Sequence, residues 1–125
     1  RKKIIEMEIK KTGKLFSFCC IAPLIIKNKN IKEIFHFEKI GSDIGLLFQV
    51  ADDIIDHKGY SSIAGKKTKK DQKQGKATLI SLLGYKNTIK YSKVISLKIK
   101  KKFDKYGVKS KNIKNTIDYI LNRKK

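Results

Sequence analysis

Apolar residues recur along this chain at intervals of three and four, and they do not alternate with polar ones over the lengths that a half-buried strand requires. A single proline, Pro23, interrupts the pattern, so helices are expected almost throughout. A first helix is predicted from near Ile4 to about Ile26, bent where Pro23 removes a backbone donor. Lys27 to Asn30 reads as a polar turn. A long helix follows from Ile31 to His57 and is expected to stop near Gly59, a plausible cap. From Gly59 to Gly75 the chain carries glycine, serine and lysine with little hydrophobic periodicity, which is the signature of a loop. Ala77 to Leu83 is a short apolar piece ended by Gly84. Two amphipathic helices are predicted after it, Tyr85 to Tyr106 and Ser110 to Arg123, with Gly107 between them. The fold class is all-α, without internal repeats.

The 125 residues are one domain's worth, and 40% hydrophobic content is compatible with a packed core. The formal charge of +20 raises the possibility of a nucleic-acid partner, because dense basic residues displace counterions from phosphate backbones. Only Arg1 and Arg123 are arginine, however, which leaves 29 lysines among the 31 basic residues. Base-reading proteins lean on the planar arginine fork, and here the lysines are spread evenly among many Ile and Asn, as A- and T-rich codon usage alone would produce.

The longest apolar stretch, Leu15 to Ile26, is broken by Ser17 and Pro23 and is shorter than the ~20 residues of a spanning helix. Cys19 and Cys20 are adjacent and cannot form a disulfide framework or a four-thiolate zinc site. They read as small buried core residues in a reducing cytosol. His36 and His57, the only histidines, are too few for a zinc centre and read as structural or exposed.

The segment from Gly45 to Asp56 changes the picture. Wound at 3.6 residues per turn, Ile44, Leu47, Phe48, Ala51, Ile54 and Ile55 fall on one arc that would face a core. Gly45, Gln49, Asp52 and Asp56 fall on an adjoining arc, with Asp53 at its margin. Like charges four residues apart weaken a helix by ~0.2–0.5 kcal/mol per pair. Yet a chain with only 11 acidic residues places three of them within five positions. A divalent cation would neutralise them. Oxygen-only donors suit a hard ion, and Mg²⁺ takes one or two carboxylates together with waters and substrate phosphates. The plainer alternative is a solvated acidic face paired with lysines.

Three ordered segments resemble the trans-type prenyl diphosphate synthases, and among them the short-chain bacterial farnesyl diphosphate synthases. They are Lys11-Thr12-Gly13; Gly45-Leu46-Leu47-Phe48-Gln49 running into Asp52-Asp53-Ile54-Ile55-Asp56; and Gly65-Lys66, Asp71 and Gly75-Lys76-Ala77-Thr78 followed by Ser81-Leu82-Leu83-Gly84. The tail from Asp118 to Lys125 looks like the end of these enzymes. Lys69 departs from the family's pattern, which has a small residue two positions before the loop aspartate, and no proline follows Gly65-Lys66.

The resemblance implies an isoprenoid-synthase-type helical bundle in which isopentenyl diphosphate is condensed with dimethylallyl or geranyl diphosphate, giving a short-chain product, farnesyl before geranylgeranyl. It implies that Lys11, Thr12 and Gln49 contact the allylic diphosphate and its metal shell. Lys66 and Lys76 would reach the diphosphate from the loop. Asp52, Asp53 and Asp56 would hold Mg²⁺, with Asp52 the best-placed ligand and the others acting through water or lysine. Metal and lysines would stabilise the charge that develops on departing diphosphate, and the apolar wall would keep water from the allylic cation. A cytoplasmic homodimer is the implied assembly.

The chain opens on Arg1 in mid-pattern, so residues 1–125 are expected to be the carboxy-terminal part of a single prenyl synthase domain. The first aspartate-rich motif and the isopentenyl diphosphate site would then lie upstream, and these 125 residues alone would be inactive. Competing readings are a terpene cyclase, a non-catalytic partner subunit of a synthase, and a basic helical module for nucleic acid or anionic membrane. The Lys-Thr pair and the loop lysines argue against the cyclase.

Overall fold

The computed structural model describes residues 2–63 and 78–123, and all regular structure among them is helical. Helix α1 (Lys2–Glu8) runs through a π-helical turn (Ile9–Gly13) into α2 (Lys14–Ile26). The polar turn ends at Asn30, whose side chain caps α3 (Ile31–Ile63): Asn30 Oδ1 accepts from the Glu33 amide at 2.9 Å, and Glu33 Oε2 accepts from Asn30 Nδ2 at 3.0 Å. Within that turn Asn28 adopts φ 48°, a left-handed conformation that asparagine tolerates better than most residues. Thr78 caps α4 (Leu79–Leu83) through reciprocal bonds with Ser81. Helix α5 (Tyr85–Lys102) and helix α6 (Lys111–Asn122) are joined by a 3₁₀ segment (Asp104–Ser110).

Two boundaries differ from expectation. Helix α3 does not stop at Gly59 but continues to Ile63. An interior glycine costs a helix only about 1 kcal/mol relative to alanine, too little to end one that no proline interrupts. Helix α5 stops at Lys102, four residues early, and the chain breaks direction at Gly107, whose φ of 54° and ψ of −134° suit glycine. The Gly65–Gly75 part of the predicted loop lies outside the described residues.

Helix α3, about 50 Å long at 1.5 Å per residue, is the element that all the others pack around. It supplies half the core, Ile40, Ile44, Leu46, Leu47, Val50 and Ala51, against Leu79 of α4, Ile95 and Ile99 of α5, Phe103, and Ile117 and Ile120 of α6. Because α2, α5 and α6 surround it, burial extends beyond the arc read from periodicity to include Leu46, Gln49 and Val50. The buried face of α5 is partly hydroxylic, with Thr88, Ser92 and Ser96 almost fully enclosed.

Cys20 packs half-buried against the core and Cys19 is exposed, so the expectation that both are core residues holds for neither in full. Burial, and then the neighbouring Cys19 thiol, push the Cys20 thiol pKa up. The positive charge is braced internally by a few ion pairs. Asp43 of α3 accepts from Lys102 at 2.7 Å, and Asp118 of α6 accepts from Lys100 at 2.6 Å, tying α5 to both neighbours.

The α1–α2 segment and α3 meet backbone against backbone. A Cβ on Gly41 would stand 2.5 Å from the Ser17 Cα, and one on Gly45 would stand 2.5 Å from the Gly13 Cα. Gly41 and Gly45 are one turn apart, and so are Gly13 and Ser17, so four small residues interlock along one seam. Ser17 Oγ also donates to the Glu38 carbonyl at 3.0 Å and lies 2.9 Å from Ser42 Oγ.

Gly45→Ala must push backbone against backbone. Overpacking of about 1–3 kcal/mol outweighs the alanine helix gain, for an expected net loss of about 2 kcal/mol. Gly59→Ala, where a Cβ meets nothing within 4 Å, is expected to add about 0.5–1 kcal/mol. Urea midpoints of the two variants should move in opposite directions.

Candidate functional site

The interlocked seam decides what lies beside the aspartates. Thr12 precedes Gly13, and Gln49 follows Gly45 by one turn, so the contact between the two glycines brings Thr12 and Gln49 together. Thr12 Oγ1 donates to Gln49 Oε1 at 3.0 Å across 37 residues of sequence. Gln49 is buried and Thr12 half-buried. The Lys11-Thr12-Gly13 stretch lies within the π-helical turn, a form that is rare, occurs in short stretches and often marks functional positions. The Lys11 side chain, and all of Lys66 and Lys76, lie outside the described residues.

One to two turns beyond Gln49 stand the three aspartates. Asp52 and Asp53 are half-buried, and Asp56 is exposed at the outer end of the row. They do not close on one point: among the described residues no three His, Cys, Asp or Glu side chains gather where they could hold a metal ion together. Helical spacing explains this, because Asp53 is turned about 100° from Asp52 at 3.6 residues per turn. A magnesium ion does not need three. Asp52 and Asp56 share a face, offer hard oxygen donors, and remain open enough for waters and phosphate oxygens to complete a shell. The donor set therefore fits that ion.

A residue that the sequence motifs do not place in the site enters here. Arg123, just past α6, has its side chain only 12% exposed. Its guanidinium lies over the Phe48 ring, 4.0 Å from the centroid, and its Nη2 donates to Asp52 Oδ1 and reaches the Phe48 carbonyl at 3.4 Å. The available signal was compositional: Arg123 is one of two arginines in a chain that otherwise uses lysine. His57 is exposed and stacks on Tyr85, and His36 sits against Phe37. Burial, with Lys105, Lys102 and Lys39 adding to it, holds the His36 pKa below the usual histidine range.

Beside the row, α3 borders a hollow of about 600 Å³, lined by Ala51, Ile54, Ile55 and Lys58 together with residues of α5 and the end of α6, Arg123 included. The aspartate row thus has an apolar neighbour on one side and the hydroxyl–amide pair at its base.

An all-helical assembly with an aspartate row on its central helix and a threonine–glutamine pair beneath it defines a narrow class of protein. Residues 2–117 match the family model described as polyprenyl synthetase, and the chain belongs to that family. It is 32% identical to the farnesyl diphosphate synthase of Micrococcus luteus over 123 residues, covering 96% of this chain and 41% of that protein. It is 28% identical to the geranylgeranyl diphosphate synthase of Cyanophora paradoxa, over 94% of this chain and 39% of the relative. With the farnesyl diphosphate synthase of Bacillus subtilis the identity is 38%, over 59% and 25% respectively. The chain spans about two-fifths or less of the length of these curated relatives. No solved structure matches it. No described helix is long and apolar enough to cross a membrane.

Thr12→Val strands the buried Gln49 acceptor and is expected to cost about 1–3 kcal/mol. Adding Gln49→Leu should recover part of that loss. A double-mutant cycle on unfolding free energy should therefore return a coupling of about 1 kcal/mol.

Proposed function

We propose that residues 1–125 are the carboxy-terminal part of a single prenyl synthase domain, and that the intact protein condenses isopentenyl diphosphate with dimethylallyl or geranyl diphosphate. The observation that carries this reading is the Thr12–Gln49 hydrogen bond at the base of the aspartate row. It joins two sequence motifs that an allylic diphosphate site needs side by side. The relatives named for farnesyl and for geranylgeranyl products both match this chain, and farnesyl diphosphate is the product proposed. The same reading makes the working protein a cytoplasmic homodimer.

Each residue then has a task set by its chemistry. Thr12 and Gln49 orient one another. The Thr12 hydroxyl gives its proton to Gln49 Oε1, which leaves the Gln49 amide NH2 to donate to diphosphate oxygens. Thr12 would meet them by turning its hydroxyl away from Gln49. Asp52 and Asp56 would hold Mg²⁺, with Asp53 beside them, and bound magnesium supplies positive charge for the diphosphate that leaves. Lys11, Lys66 and Lys76 are proposed as further cations for the same group. Fixed charge of this kind is in place before the bond breaks, and it lowers the barrier more than any other single effect in such reactions. The apolar residues flanking the row, Phe48 and Ile55 among them, exclude the water that would quench an allylic cation.

In the intact protein, supplied with both diphosphates and Mg²⁺, Asp52→Ala is expected to lower kcat by about a hundredfold or more. An unchanged rate would remove Asp52 from the mechanism. Residues 1–125 by themselves are expected to form no product, because the proposed partner site for isopentenyl diphosphate is not among them. Product from that isolated chain would disprove the division of labour.

A further inference from the structure

Three acidic side chains on neighbouring turns of one helix repel each other, and the fold supplies an answer that involves no metal. Arg123 presents its guanidinium to Asp52 Oδ1 from the end of α6, 71 residues away in sequence. The group is held from two further sides, by the face of the Phe48 ring and by the Phe48 carbonyl. A lysine could not do this. The ammonium is a compact, strongly hydrated point charge, whereas the flat guanidinium can stack on a ring and donate in its own plane at once. In a chain with 29 lysines, the one described arginine occupies the position that needs those properties.

From this geometry we infer that Arg123 is a resident counter-ion of Asp52, which a divalent cation must outcompete to use that carboxylate. The inference rests on the reading that Asp52 holds such a cation. Arg123 neutralises one carboxylate of the row before metal arrives and so relieves its repulsion with Asp56. For the same reason it weakens the first metal contact, by opposing a second positive charge at the same oxygens. Loading of the site is thereby coupled to the end of α6, because the cation and the guanidinium compete for Asp52. The role belongs to a positioning residue. It acts on the site through Asp52.

The test is a titration of the intact protein with Mn²⁺, with free ion read from its electron paramagnetic resonance signal. Arg123→Gln is expected to tighten the Asp52-dependent site about five- to tenfold, the affinity equivalent of losing one partly buried ion pair. Arg123→Lys, which keeps the charge but loses the ring stacking and the planar donor, should tighten Mn²⁺ binding by a smaller factor, about two- to threefold. If Arg123→Gln does not fold, Phe48→Leu serves instead. It removes the ring beneath the guanidinium and should tighten binding about two- to threefold. A merely structural arginine predicts unchanged or weaker binding in these variants, and either outcome overturns the inference. Asp52→Asn separates the metal site from its counter-ion. If it leaves wild-type Mn²⁺ binding intact, the function proposed for Asp52 fails. If it abolishes binding while Arg123→Gln fails to tighten it, only the counter-ion falls.

Discussion

The contact on which the rest of this structure depends is the seam where Gly13 and Ser17 meet Gly41 and Gly45. Helices separated by ordinary side chains stand 8–10 Å apart. Here the absence of Cβ atoms lets the backbones approach until an added methyl would lie 2.5 Å from a neighbouring Cα. That closeness brings Thr12 within 3.0 Å of Gln49 and gives Ser17 its bonds to the Glu38 carbonyl and Ser42. The π-helical turn sits at the end of the same seam. The hydroxyl that meets Gln49 is thus set by backbone packing before any side chain is chosen.

Helix α3 is both the centre of the core and the carrier of the aspartates, and the two roles share its length. From Ile40 to Ala51 it is enclosed by the other helices. From Asp52 to Gly59 it emerges, passing from half-buried to exposed. The aspartates begin where enclosure ends. A carboxylate one turn earlier would be buried at a cost of several kcal/mol without a partner, and one placed much later would lose the apolar wall. Position along a single helix therefore grades solvent access across the row.

Arg123 ties this emerging end to the last helix. Its ion pair, ring stacking and carbonyl contact make the carboxy-terminal end of α6 part of the aspartate site. By contrast, the lysine pairs that brace α5, at Asp43 and Asp118, lie on a partly exposed surface where such bonds are worth about 0.2–1 kcal/mol each. They offset some of the self-repulsion of a chain with a formal charge of +20.

Much of this was decided by residue order alone. Helical periodicity, the lack of alternation, the polar turn from Lys27 to Asn30 and the glycines at 84 and 107 locate the helices to within a few residues. The order and spacing of the Lys-Thr, Gln and Asp motifs carry the likeness to polyprenyl synthetases. These signals are local, and backbone geometry converts them directly into structure. Periodicity alone misplaced the end of α3, because a lone glycine weakens a helix without stopping it. What only tertiary packing decided is non-local. The Thr12–Gln49 bond spans 37 residues and the Arg123–Asp52 pair spans 71, and neither distance leaves a trace in spacing or periodicity. Whether Cys19 faces outward while Cys20 turns in, and which aspartate gains a cation, depend on the angle and closeness at which helices cross. That is a property of whole surfaces meeting, and no single stretch of sequence contains it.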